Sequence, residues 1–235
     1  MRVRIEDNGF KEEAAMITSF NIQYQSIQDL LAAKEKTTDY LPENILIQVF
    51  SGVIKESVIQ QLLSDIRNVF PGVPVIGTST AGEIMDGEYL EQSILVNITS
   101  FSHTTVRSAL TSQNDDLELA GQEIGAAIDQ KSIKAAIVFG SGTKDGKFIN
   151  VREFLDSLRS KIPNGIIAGA QASERFERNA TFVFTEKGIT QNGFAAASLS
   201  GEKLRVNNAY NRNLVPIGKK MVVTKVKPNL SDSPA

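Results

Sequence analysis

The chain of 235 residues contains no cysteine, no tryptophan and a single histidine, His103. Without Cys there can be no disulfide, no thiolate nucleophile, no iron–sulfur cluster and no zinc–thiolate site. Any His-dependent triad or proton shuttle would have to run through His103, which has no nearby Asp or Ser committed to it and reads as an exposed turn residue. An excess of charge of one sign is also missing: 25 Lys+Arg stand against 27 Asp+Glu, a net −2. That leaves no electrostatic footprint for nucleic acid or for an anionic membrane. No apolar run reaches the ~18–20 residues of a membrane helix, and the opening MRVRIEDNGFKEEAAM lacks the apolar stretch of a signal peptide. These absences predict a soluble, cytoplasmic protein with no membrane insertion and no cofactor. The acidic residues Glu83, Asp86, Glu88 and Glu91 are hard-cation ligands by type, but they lack a metal-loop spacing and read as a solvated loop.

What is present suits a globular core. Hydrophobic residues make up 41%, and the length fits one large domain or two fused halves. Residues 1–13 are polar and expected to be disordered, and 14–22 are β-prone. Ser26 is placed to cap a short helix carrying Ile27, Leu30 and Leu31. Residues 44–50 read as a buried strand. Ser57 and Gln60 then form a candidate capping box, before a helix with Val58, Ile59, Leu62, Leu63, Ile66 and Val69 on one face. Pro71-Gly72 stops that helix, and residues 73–77 start another strand. Residues 93–101 and 105–110 predict an antiparallel hairpin across Ser102-His103-Thr104, and a helix over 117–130 takes Asp115 or Asp116 as its cap.

The order then recurs. A strand at 135–139 leads to Gly140-Ser141-Gly142. Asn150 and Glu153 are a second candidate capping box, Pro163 stops the helix, and 165–169 is a strand. Residues 181–185 alternate as a strand, and 193–200 is expected to pair with 203–210. Ser51-Gly52, Pro71, Gly77 and the turn at Ser102 all recur roughly 90–100 positions later. We therefore expect an internal duplication with units at about 44–111 and 134–211. The parallel pairs need crossover helices, so mixed sheets carrying helices follow, in an α/β or α+β fold.

Two glycine-bounded loops are the candidate site. Gly77-Thr78-Ser79-Thr80-Ala81-Gly82-Glu83 offers consecutive hydroxyls and backbone amides to a carboxylate, phosphate or amide. Gly169-Ala170-Gln171-Ala172-Ser173-Glu174-Arg175 places polar groups at matching points of the second unit. The run from Gly140 to Phe148 lies between a strand and a helix but is not a phosphate loop. Ser141 stands where Gly is needed, and Phe148 replaces the magnesium-holding hydroxyl.

The string Phe70-Pro71-Gly72-Val73-Pro74-Val75-Ile76-Gly77-Thr78-Ser79-Thr80-Ala81-Gly82-Glu83-Ile84 resembles the signature of the FIST domain. Phe50-Ser51-Gly52, Ile167-Ala168-Gly169-Ala170, residues 181–184, residues 187–193 and Val215-Pro216-Ile217-Gly218 follow in the family's order. The resemblance spans about residue 45 to the C-terminus. Thr78 stands where the family commonly has Cys, so a thiol role is excluded there. Ala172-Ser173-Glu174 replaces a glycine-rich turn. The resemblance implies a sensory input domain that binds amino acids or related small molecules and signals through a separate effector. It also implies an N-terminal half, over 14–226, with a C-terminal half expected to begin about where residues 227–235 stand.

The leading expectation is a non-catalytic sensor. Its ligand, an amino acid or small carboxylate, would be held by Ser51, Thr78, Ser79, Thr80, Glu83, Ser141, Thr143, Gln171, Ser173 and Arg175. Arg175 suits a carboxylate and Glu83 an amino group. The alternatives are a hydrolase or transferase with a Ser/Thr nucleophile, for which only Lys144 or Lys147 suggest a base, and a protein-interaction module. A homodimer is compatible with any of them.

Overall fold

The computed structural model describes residues 16–112, 116–129, 131–144, 147–174, 181–209, 217, 218, 222 and 224. The expected disorder of residues 1–13 lies outside them. In chain order the first half runs β1 (Ile17–Gln23), α1 (Ile27–Lys34), β2 (Ile45–Ser51), α2 (Glu56–Val69), β3 (Val75–Ser79), β4 (Glu83–Met85), β5 (Glu88–Leu90) and β6 (Ile94–Phe101). The second runs β7 (Thr105–Ser112), α3 (Leu117–Ile128), β8 (Ile133–Gly140), β9 (Thr143–Lys144), β10 (Lys147–Phe148), α4 (Arg152–Lys161), β11 (Ile166–Gln171), β12 (Val183–Thr185), β13 (Gly188–Thr190) and β14 (Gly193–Ser200).

These elements form an α/β fold of four layers. A six-stranded sheet has the order β1-β6-β2-β3-β12-β13, and a four-stranded sheet the order β11-β8-β14-β7. Alternation along β2 explains the layering. Ile45, Ile47 and Val49 face α1 and α2, joining Leu30, Ile59, Leu62 and Ile66, whereas Leu46 and Phe50 face the other sheet. The second sheet repeats the device, with Ala136, Val138, Phe194 and Ala196 under α3 and α4. Between the sheets, Leu46, Ile76, Val106, Phe139, Val183, Ala195 and Ala197 form the central core, and Phe50 meets Phe139 edge-on at 5.8 Å. The alanines of β14 are small on both faces, which lets a helix and a second sheet approach one strand.

Both sheets share one strand order. β1-β6-β2-β3 and β7-β14-β8-β11 have the same neighbours and the same directions, with β2–β3 and β8–β11 parallel and the other pairs antiparallel. This recurrence of topology runs over 17–101 and 105–200, one strand earlier than the spacing of sequence landmarks places it.

Two expected hairpins do not form. β6 and β7 belong to different sheets, because both edges of β6 are already taken by β1 and β2. The connection at Ser102-His103-Thr104 instead carries the chain from one sheet to the other, held by Met16, whose amide donates to Ser102 Oγ at 2.8 Å. Residues 203–209 are not a strand, since β14 already lies between β7 and β8. Two of the four expected helix caps are displaced. Asp29 accepts the Ser26 amide (2.8 Å) and Asp116 the Leu119 amide (2.9 Å), as expected. However, α2 begins at Glu56 after Lys55, and α4 at Arg152 after Val151, so neither Ser57 nor Asn150 is an N-cap.

Candidate functional site

In each parallel pair the crossover helix returns the chain to the same end of the sheet. The C-terminal ends of β2, β3, β8 and β11 therefore share a rim, the position where open α/β sheets bind ligands. The two rims meet. The Ser79 carbonyl accepts the Ser173 amide at 3.1 Å, and Ser79 Oγ donates to the Ser173 carbonyl at 3.0 Å. This joins the loop after β3 to the loop after β11, the two segments singled out in the sequence.

Several candidate hydroxyls are committed internally. Ser79 Oγ also accepts the Phe182 amide at 3.0 Å, and the residue is buried. Ser51 Oγ donates to the Val53 carbonyl at 2.8 Å, and Thr78 Oγ1 to the Ser79 carbonyl at 3.2 Å. Ser141 Oγ accepts the Gly193 amide at 3.0 Å and donates to the Gly193 carbonyl at 3.2 Å. All four residues are buried, and their bonds fix the strand ends.

Glu83 lies in a pocket of hydroxyls. Only 4% exposed, its carboxylate accepts the Ser93 hydroxyl at 2.5 Å and the Thr80 hydroxyl. Gly52 makes the room: a Cβ there would come within 3.1 Å of Glu83 Oε2. Thr80 is half-buried, and its amide donates to the Ser51 carbonyl at 2.9 Å, which places Ser51, Thr80 and Glu83 in one cluster. On the second sheet Gly142 donates its amide to Thr181 Oγ1 at 3.0 Å, and Ala172 donates its amide to the Gly140 carbonyl at 2.7 Å. Thr143 is half-buried, while Gln171 and Ser173 are exposed, with Gln171 Nε2 donating to the Ile149 carbonyl at 2.8 Å. Arg175 lies outside the described residues. Thr80, Thr143, Gln171 and Ser173 thus line the rim where solvent reaches it, above a floor of satisfied hydroxyls.

Ser93, Gly52 and Thr181 were not foreseen as site residues. Ser93 follows Glu83 by a whole hairpin, and only the general rule that a buried carboxylate needs donors points to it. His103 is exposed and sits at the opposite end of the sheets, since β6 runs antiparallel to β2. Among the described residues no three His, Cys, Asp or Glu side chains are grouped to hold a metal ion. None of the described helices is long and apolar enough to cross a membrane.

Beside the rim, on the helix face of the second sheet, runs a groove of about 330 Å³ between β11 and α4. Val138, Phe154, Leu155, Gly169 and Phe194 line it, and Gln171 stands at its polar end. Gly169 is required at the groove's edge: its φ is +154°, and a Cβ there would lie 1.8 Å from the Val138 carbonyl oxygen of the paired strand.

The two sheets thus pack in four layers with the helices outside, and hydroxyl-rich loops from each are joined across the rim. A family model described as the FIST N domain matches residues 45–230, and the chain belongs to that family. The FIST domain is a sensory domain of signal-transduction proteins. No curated protein matches the chain.

Proposed function

We propose that the chain senses an amino acid or a related small carboxylate, held at the shared rim, and passes the signal to an effector domain or partner. The observation that carries this reading is the pair of hydrogen bonds between Ser79 and Ser173. These bonds hold one loop from each sheet together, so a ligand touching both would bind the joined arrangement better than a separated one. Such differential affinity is what a switch requires. Thr80, Thr143, Gln171 and Ser173 supply neutral donors and acceptors. The chemistry of Arg175 suits the ligand's carboxylate, and that of Glu83 its amino group.

The test is a thermal-shift panel of amino acids and small carboxylates, run after unfolding and refolding to strip carried ligand. A ligand that binds the native chain at a hundredfold excess over its Kd stabilises it by ~2.7 kcal/mol. One chemical class should give a dose-dependent shift that Thr80→Val and Arg175→Ala each weaken. No shift with any compound, or equal shifts in both variants, would remove this site.

A further inference from the structure

The edge beyond β3 in the first sheet is covered. β12 pairs antiparallel with it, Phe184 opposite Gly77, and β13 follows outside. Phe184 lies over that glycine so closely that a Cβ at Gly77 would sit 2.0 Å from its ring. Phe184 is fully buried, and Ile189, its cross-strand partner, packs beside it on the helix face.

In the second sheet every counterpart is present but apart. β11 occupies the place of β3, with Gly169 lining the groove, and among the described residues no strand lies beyond it. The space over Gly169 is the open groove, and residues 168–171 are exposed. The topological counterpart of β12–β13 is the hairpin β4–β5, which among the described residues pairs only with itself. Its cross-strand pair Ile84 and Tyr89 corresponds to Phe184 and Ile189, yet these two side chains are 72% and 56% exposed.

We propose that this chain forms a reciprocal homodimer in which hairpin β4–β5 of each copy lies antiparallel along β11 of the other, with Ile84 filling the groove over Gly169. The hairpin does not fill the groove of its own chain: Ile84 is exposed, no residue of 83–90 lines the groove, and Glu83 is anchored to Ser93 and Thr80 at the hairpin's base. A second copy presents the same hairpin from outside. Charge favours the match: Asp86 and Glu88 are exposed on the hairpin, while Arg152 and Arg159 flank Leu155 on α4, Arg152 also lying 3.7 Å from Asp156. β11 itself, IIAGAQ, carries none of the charges or prolines that keep an edge strand from pairing. Pairing β11 with a second β11 would leave the space over Gly169 without a large side chain, whereas the hairpin fills it. One short hairpin falls below the ~1,200 Å² of a stable interface, and twofold symmetry uses the contact twice.

Analytical ultracentrifugation over a concentration series gives the first reading, and the wild-type chain should dimerise, more weakly at high salt. Ile84→Glu, at an exposed position that leaves folding intact, should raise the dimer Kd roughly thirtyfold or more, the effect of losing a central anchor. Leu155→Glu should do the same from the groove side. Because the chain has no Cys, oxidative cross-linking then reads the register. Met85→Cys mixed with Ala168→Cys should give a disulfide-linked dimer, and neither variant alone should. A wild-type chain that stays monomeric, or a dimer that survives Ile84→Glu, would overturn the proposal. So would cross-linking of Ala168→Cys by itself, which would put β11 against β11.

Discussion

The two halves of the molecule solve one packing problem with opposite results. Each sheet has a parallel pair whose second strand carries a glycine at the matched position, Gly77 in one and Gly169 in the other. In the first sheet the glycine is the floor of a slot filled by Phe184, and Val183 next to it enters the core between the sheets. In the second, the position matching Val183 is Glu83, a carboxylate that cannot enter an apolar core without large cost. It is seated in its own cup of hydroxyls, and its hairpin stands away from the sheet. The matched positions thus differ in polarity, Val183 entering the apolar core and Glu83 a cup of hydroxyls. Glu186 reinforces the difference. Its carboxylate accepts the Val75 amide at 2.9 Å and the Ser108 hydroxyl at 2.7 and 2.8 Å, latching β12–β13 to both sheets. Asp86, in the matching turn of the free hairpin, is exposed.

The comparison can be broken most directly at Phe184. Phe184→Ala empties the filled slot and should cost about 3–5 kcal/mol in urea denaturation; a loss below ~1 kcal/mol would mean the slot contributes little packing. Next in size is Glu186→Ala. It leaves a buried-side amide and a hydroxyl without their acceptor, and should cost about 2–3 kcal/mol, whereas Asp86→Ala should change nothing measurable. Equal effects from the two would refute the latch.

A smaller effect belongs to a tie found in the first half. Tyr24 donates to Asp65 at 2.6 Å, joining the segment after β1 to α2. Burial, and then the Asp65 carboxylate, push its phenol above the ordinary tyrosine value. The folded chain therefore holds that proton more tightly than the unfolded chain. The contribution is complete below pH ~10, the unfolded value, and is lost as pH rises above it. Tyr24→Phe should cost about 1–2 kcal/mol at neutral pH and flatten the alkaline fall in stability. An unchanged alkaline slope would assign that fall to other groups. The smallest effect is Ile84→Ala, within about 0.5 kcal/mol in the monomer. Set beside Phe184→Ala, it measures how far two matched positions have diverged.

Much of the secondary structure was legible because it rests on local signals. The apolar face of α2, the stop at Pro71-Gly72 and the caps at Ser26 and Asp116 each lie within a few residues of what they determine. The loops after β3 and β11 were legible as a candidate site from their glycines and hydroxyls. The hairpin across Ser102-His103-Thr104 failed for a non-local reason. A three-residue connection between two β-prone runs fits a hairpin, but β1, far off in sequence, had taken the edge of β6. Ser79 and Ser141 illustrate the same limit at the site: a hydroxyl's type is visible in sequence, while the carbonyl that engages it comes from a distant segment, Ser173 for one and Gly193 for the other.

By itself, the sequence excluded thiol chemistry, confined any His-centred chemistry to His103, set the helices and strands through apolar periodicity, and carried the family signature around Gly77. Tertiary structure alone decided that the strands divide into two sheets of matching order, that Ser79 meets Ser173, and that Phe184 is buried while Ile84 is not. The physical reason is range. Propensity, capping and turn chemistry act over a few residues, but strand pairing and burial depend on which distant partner has already taken an edge or filled a space.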